Sequence, residues 1–329
     1  MSGAPPVPIA DGHADSLMWN RDLCVRQRRG QVDFPRLAEA GVRLQCFTVV
    51  TRGYPLLDGF AAFAALRRWP GAARRGPWAR CLFQLDRMHA LCARSEGRVR
   101  VVASAADLEE GLAGGRLAAV LGVEGGQALE GRPERVAELR GRGVRFMSLT
   151  HLANNELGGS SSPLMGDRPL TPLGGEVVEA MGAAGLSVDL AHASRRMLRD
   201  VLARRGVRPF CSHAGVSGAH PSWRNLDDAA LRAIADRGGV IGVIFATIYL
   251  GGREIADVVR HLEHALDVAG EDAVAFGSDF DGLVPLPRGL GDVTGLPRLV
   301  AALARRRSAA VVEKVAFGNW RRFFGETLG

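Results

Sequence analysis

Eight short runs of apolar and β-branched residues recur along the chain, each followed by a stretch with helical periodicity, and this alternation limits the fold more than any other feature. The runs are Val7 to Asp11, Val42 to Val50, Leu117 to Val123, Val144 to Thr150, Leu186 to Leu190, Arg208 to Ser212, Val240 to Phe245 and Ala273 to Gly277. Between them lie amphipathic stretches such as Phe83 to Ser95, Pro133 to Gly141, Pro172 to Ala184, Ser194 to Arg205, Asp227 to Arg237 and Ile255 to Ala269. Neighbouring parallel strands need a crossover, and a helix after each strand supplies it. Eight such units over 329 residues match an α/β chain folded as a (β/α)8 TIM-type barrel. A doubly wound dinucleotide fold would carry a GxGxxG turn, which is absent. No repeat, linker or low-complexity tail breaks the pattern, so residues 1–329 read as one barrel domain. The stretch Arg52 to Pro77, rich in Gly, Pro, Arg and Trp, reads as an excursion that overhangs the barrel rim.

Composition removes other classes. Hydrophobic residues make up 47% and charged residues 23%, with mean hydropathy +0.03, which excludes disorder and a membrane bundle. No apolar run approaches the ~18–20 residues of a spanning helix, and the N-terminus has no basic region leading into an apolar one. The expectation is a cytoplasmic protein without a membrane anchor. Five cysteines, widely scattered and without a CxxC pair, read as reduced. The net charge of +7 raises the question of nucleic acid, but the only lysine is Lys314 and the arginines are dispersed without interleaved aromatics. They read as solvated surface, with no nucleic-acid partner.

Chemically capable residues gather where barrel enzymes keep their active sites. His13 and Asp15 close the first run, Glu124 the third, His151 the fourth, His192 the fifth, His213 the sixth and Asp279 the eighth. In extended backbone, residues two apart share a face, so His13 and Asp15 of Asp11-Gly12-His13-Ala14-Asp15 can chelate one divalent ion, although HxD also occurs in turns and caps. Glu124 ends an apolar strand ahead of two glycines; a buried carboxylate there is costly without a cation, while an exposed one would simply open the next helix. His192 and His213 add two imidazoles. Three histidines and two acids suit two metal ions bridged by a carboxylate. Many dinuclear barrel hydrolases bridge with a carboxylated lysine, but Lys314 lies near the C-terminus off any strand, which leaves Glu124 as the bridge.

Asp279, first after the last strand, is placed to move a proton from a metal-bound water to a leaving amine, with Asp281 as a turn or capping residue. His151 reads either as a donor to an oxyanion or as a satisfied polar residue. Arg224 offers a fork for a carboxylate, as any of the other arginines does. His89, His220, His261 and His264 have weaker cases; the last two, one turn apart on a helix without acidic partners in register and away from the rim, read as surface residues.

Taken together, these segments resemble the membrane (renal-type) dipeptidases, the M19 metallopeptidases of the amidohydrolase-like barrels. The resemblance rests on Asp11 to Asp15, Gly122-Val123-Glu124-Gly125-Gly126, Leu149-Thr150-His151 with Asn154, Leu170 to Gly174, Val188 to Ser194, Ser212-His213, Arg224-Asn225-Leu226, Gly277 to Gly282 and Gly318 to Phe323. It runs in order over nearly the whole chain. It implies two Zn2+ per subunit, with His13 and Asp15 on one, His192 and His213 on the other and Glu124 bridging. It further implies His151 on the substrate carbonyl, Arg224 on the terminal carboxylate and Asp279 as proton shuttle. The implied reaction is hydrolysis of L-Xaa-L-Xaa and L-Xaa-D-Xaa dipeptides by a metal-bridging hydroxide, with β-lactam opening in some members and homodimers common.

Departures fall on the substrate side. The family often carries an Asn-Phe-Tyr-like sequence at the seventh strand end, where this chain reads Val243-Ile244-Phe245-Ala246. An acid common after Asn155 is replaced by Gly158-Gly159, and His213 is followed by Ala214-Gly215. A deacylase or cyclic-amide hydrolase on the same binuclear site is the alternative enzyme. A binding protein that keeps the fold is a different class, disfavoured because every proposed ligand and Asp279 are present.

Overall fold

The computed structural model describes residues 7–52 and 59–328. Nine strands occur among the described residues: β1 (Ile9–Ala14), β2 (Val42–Val50), β3 (Val99–Val101), β4 (Leu117–Glu124), β5 (Val144–Ser148), β6 (Ser187–Asp189), β7 (Pro209–Ala214), β8 (Ile241–Val243) and β9 (Val274–Phe276). All pair in parallel, and the main path is β1-β2-β4-β5-β6-β7-β8-β9. The path returns to its start through an Ala14–Phe280 bridge, where Asp15 N donates to Phe280 O at 2.9 Å. This is the expected eight-stranded barrel of βα units. The extra strand, β3, pairs with the start of β4 (Val99 opposite Leu117), on the edge that β5 occupies only from Leu121 onward.

Strand β4 explains why the runs read as continuously apolar. Successive side chains point to opposite faces, and both faces are buried in a barrel wrapped by helices. Leu117, Ala119, Leu121 and Val123 pack outward in the sheet–helix core. Ala118 and Val120 point inward to a second core at the lower end of the barrel. The next inward position, Gly122, faces the Phe146 ring, and the last is Glu124, so one face of one strand runs from packing to chemistry.

The helices Pro172–Ala184 and Ile255–Ala269 keep the bounds their sequences suggest. The first has a Thr171 side chain accepting from Gly174 N, proline in the first turn and left-handed Gly185 after its end; the second has a reciprocal Glu254–Asp257 capping box. The floor of the barrel is closed by the last helix, Asn319–Thr327, which inserts Trp320, Phe323 and Phe324 against Phe146 and Phe210. The Trp320 indole N–H donates to Phe276 O at 2.8 Å. Its ring also dictates Gly12, because a Cβ there would sit 2.3 Å from Trp320 Cζ2.

The excursion after β2 includes a helix, Gly59–Leu66, whose Phe60 packs with Met18, Val50 and Trp69. All five cysteines are free thiols. Among the described residues, no helix is long and apolar enough to cross a membrane.

Candidate metal centre and active site

The strands bring together all eight residues named from the sequence. His13, Asp15, Glu124, His192, His213, Arg224 and Asp279 are buried, and His151 is partly open. The observed strands run further than their sequences suggested at three places, so His13 and His213 sit within β1 and β7 and Glu124 is the last residue of β4. Asp15, Glu124, His151, His192, Arg224 and Asp279 line a cavity of about 470 Å³, with His13 and His213 beneath them.

Glu124 is the hub. Its Oε1 lies 2.9 Å from His192 Nε2, 3.5 Å from His213 Nε2 and 3.7 Å from His13 Nε2. Its Oε2 is buried without a hydrogen bond among the described residues, 3.5 Å from His151 Nε2. Three groups of potential ligands meet at this centre, Glu124 with His192 and His213, His13 with Asp15 and Asp279, and His13 with Asp189 and His213; in each, the ligand atoms lie within 4.8 Å of one another. The Thr48 hydroxyl fixes Asp15 by donating to its Oδ1 at 2.6 Å.

The protonation pattern follows from burial and charge. Burial drives the His192 imidazole well below its usual range, and the Arg224 cation adds to the effect. Burial does the same to His213, reinforced by His13 and Arg224. Both are therefore neutral, the form that binds metal. Burial also works against a charged His13, but the Glu124 and Asp15 carboxylates outweigh it and lift the ring to about 10. Burial pushes the Asp279 carboxyl well up, and the negative charges of Asp15 and Glu124 push the same way. Buried acids that pull a proton onto the one responsive imidazole, beside two neutral imidazoles and an unpaired Glu124 oxygen, form a donor set that fits divalent cations. Mixed imidazole and carboxylate donors suit zinc.

Two site residues hold unusual backbone. His192 (φ 64°) and Asp279 (φ 63°) adopt the left-handed conformation that side chains with a Cβ rarely take. Such strain persists only where the surroundings enforce it, and it concentrates at functional sites. Asp281 shares the conformation but holds structure together, since its carboxylate accepts from Ser16 Oγ at 2.6 Å and Gln31 N at 2.9 Å and pairs with Arg21 at 2.5 Å.

Arg224 donates from Nη2 to His213 O at 2.9 Å, and its buried Nε has no partner among the described residues. His151 Nδ1 faces Arg52 O at 3.2 Å; a carbonyl only accepts, so the proton is on Nδ1 and Nε2 points at the site. Ile244 lines the cavity, whereas Ala246 is buried beside it and does not.

Some expectations change. His261 is not a surface residue: it is fully buried, accepts from Val216 N at 3.0 Å and faces Leu250 O at 3.2 Å. Helical spacing could have found this, since Val258, Leu262 and Ala265 share its buried face. His264 is half-buried and paired with Asp228 at 2.7 Å. Sequence reasoning gives no role to Thr48, Ser212, Asp11 or Asp189. The last two are acids inside apolar strands, a signal that burial and full hydrogen bonding accompany them.

The profile of the family described as membrane dipeptidase (peptidase family M19) matches residues 5–328. An uncharacterized protein in the pqqA 5' region of Klebsiella pneumoniae is 35% identical over 254 residues, which is 73% of this chain and 93% of that one. Among solved structures, a metallo peptidase from Rhodobacter sphaeroides, liganded with a phosphinate mimic of the dipeptide L-Ala-D-Ala, has TM-score 0.86 and 27% identity, covering 98% of this chain and all 100% of that one. The dipeptidase AC, a metallo peptidase of family M19, has TM-score 0.85 and 26% identity, covering 99% and 100%. A full-length family match and the same barrel in metallopeptidases agree with the geometry, and the chain belongs to the membrane dipeptidase family, M19, as a metal-dependent dipeptidase.

Proposed function

We propose that the chain hydrolyses the peptide bond of L-Xaa-L-Xaa and L-Xaa-D-Xaa dipeptides with two zinc ions, and that it favours apolar residues. One observation carries this reading. Within a single cavity, a Glu124 carboxylate facing three imidazoles lies alongside a buried arginine with an unpaired N–H.

His13 and Asp15 would hold one ion and His192 and His213 the other, with Glu124 between them. Bound there, zinc would supply a nucleophile from water near neutral pH and polarisation of the scissile carbonyl. The remaining work belongs to side chains. Arg224 pairs its free N–H with the substrate's terminal carboxylate, which favours substrates whose carboxylate lies one residue from the scissile bond. His151, with Nδ1 beside Arg52 O, turns Nε2 toward the cavity, where it would contact the oxygen of the scissile carbonyl. Asp279, the first acid after the last strand, would take up a proton from the attacking water and deliver it to the departing amine.

The apolar walls set selectivity. On the β1–β2 side they include Met18, Val50, Phe60 and Phe63; on the β8–β9 side, Ile244 and Val284. Arg224 follows β7, so the C-terminal residue would lie toward Ile244 and the N-terminal one toward Phe60. The dipeptide mimic on the Rhodobacter relative, with D-Ala at its C-terminal position, supports acceptance of a D-residue here.

The test is release of free amino acids from dipeptide panels of both stereochemistries, with N-acyl amino acids and cyclic amides alongside, using stripped and zinc-reconstituted protein. Zinc-dependent cleavage of dipeptides, strongest for apolar pairs, is expected. Turnover confined to acyl amino acids or cyclic amides would move the reaction to a deacylase or cyclic-amide hydrolase.

A further inference from the structure

Beneath the proposed ligands lies a serine that touches both halves of the centre. Ser212 Oγ is 2.8 Å from His213 Nδ1 and 3.2 Å from His13 Nδ1. The two rings pack with centroids 3.8 Å apart, and their Nε2 atoms both face Glu124 Oε1. His13 belongs to one proposed ion site and His213 to the other. Behind the serine is Asp189, fully enclosed, whose Oδ1 accepts from Ser212 N and from Ala191 N, both at 2.9 Å. Burial raises the Asp189 carboxyl, and the Ser212 side chain and backbone counter it.

Counting donors and acceptors fixes the roles. An imidazole that gives its Nε2 lone pair to a metal carries its proton on Nδ1. Both Nδ1–H groups then donate to the Ser212 oxygen, which has two lone pairs, and the hydroxyl proton is left for the Asp189 carboxylate. In that arrangement the Ser212 hydroxyl uses both lone pairs and its proton.

We propose, on the two-zinc reading, that Ser212 is a positioning residue whose single hydroxyl orients one ligand of each ion, with Asp189 setting the direction of its proton. Outer-shell partners of this kind change metal affinity by roughly 10–100-fold. The distinctive consequence here is that both ions weaken together, since one oxygen serves both rings. Ser278 provides a contrast within the same barrel. It too rests on a buried acid, with N and Oγ each donating to Asp11 at 2.7 Å, but of the site histidines its hydroxyl reaches only the His13 backbone carbonyl, at 3.0 Å, and has no hydrogen bond to any of the site imidazoles.

The experiment measures zinc per chain by elemental analysis after equilibration against graded chelator, for the wild type, Ser212→Ala, Ser212→Cys and Ser278→Ala, with thermal melts of the stripped proteins. Ser212→Cys keeps the volume and loses the strong acceptor. The wild type is expected to hold two zinc ions, and both Ser212 variants to lose both ions over one chelator range, shifted roughly 10–100-fold, with Ser278→Ala near the wild type. Loss of one ion alone in the Ser212 variants, or unchanged affinity with only a lowered melt, would overturn the proposal. A third zinc in the wild type would also do so, by assigning His13, Asp189 and His213 to an ion instead of the serine. A wild type that binds no zinc would refute the two-zinc reading itself, a result distinct from any of these.

Discussion

The two ends of the barrel are built from the same strands and put burial to opposite uses. At the floor, Phe146, Phe210, Trp320, Phe323 and Phe324 interlock, and the indole N–H is satisfied by Phe276 O. At the mouth, the same strands end in buried acids and imidazoles, two residues with left-handed backbone, and a Glu124 oxygen without a hydrogen bond among the described residues. The floor turns burial into stability. The mouth gathers buried charge that divalent cations would complete. A substitution should therefore change stability when made below Gly12 and chemistry when made above it.

The largest effect is expected at Asp279. Asp279→Asn keeps the shape of the side chain and removes its capacity to carry a proton, so kcat on a dipeptide should fall by roughly 10²–10⁴, the usual size of a lost proton transfer, while zinc content and the urea midpoint stay near wild type. Comparable loss of zinc would show that Asp279 is a ligand rather than an acid. The converse belongs to Trp320→Ala, which should cost about 3–5 kcal/mol in urea unfolding, equally with and without zinc. A cost confined to the zinc-loaded protein would erase the distinction between the two ends.

Selectivity gives a smaller effect. Ile244→Asn, which restores a polar group to the β8 end, should lower kcat/KM for a dipeptide with a C-terminal leucine by roughly tenfold relative to one with serine. An unchanged ratio in a competition assay would remove Ile244 from the pocket wall. The smallest effect concerns pH. Burial holds His261 down to about 4, against 6.5 when unfolded. Between these values the unfolded chain binds the proton and the folded chain does not, so stability is full above about pH 6.5 and falls as pH drops toward 4, by at most about 1.4 kcal/mol per unit from this group. His261→Gln should flatten that slope in pH-dependent urea melts, and an unaltered slope would locate it elsewhere.

Much of this is legible in the sequence because a barrel writes its function at strand ends. His13, Asp15, Glu124, His192, His213 and Asp279 each follow or end an apolar run, so their convergence follows from topology alone. What escapes depends on contacts between distant strands. Ser212 meets His13 across 199 residues of sequence, and nothing local distinguishes it from any other strand serine. Strand β3 reads Val99-Arg100-Val101 and is only partly buried, so no continuous apolar run marks it. His261 is misplaced when read as a chemical group rather than as a member of a helix face.

The central claim is that the mouth of the barrel is a two-ion site organised by Glu124, and a zinc titration of stripped protein tests it most directly. Turnover of L-Leu-D-Ala and bound zinc, followed on one sample, should rise together and level at two zinc ions per chain, with Glu124→Ala inactive and short of that stoichiometry. Full turnover in the stripped protein, or a plateau at one ion, would contradict it.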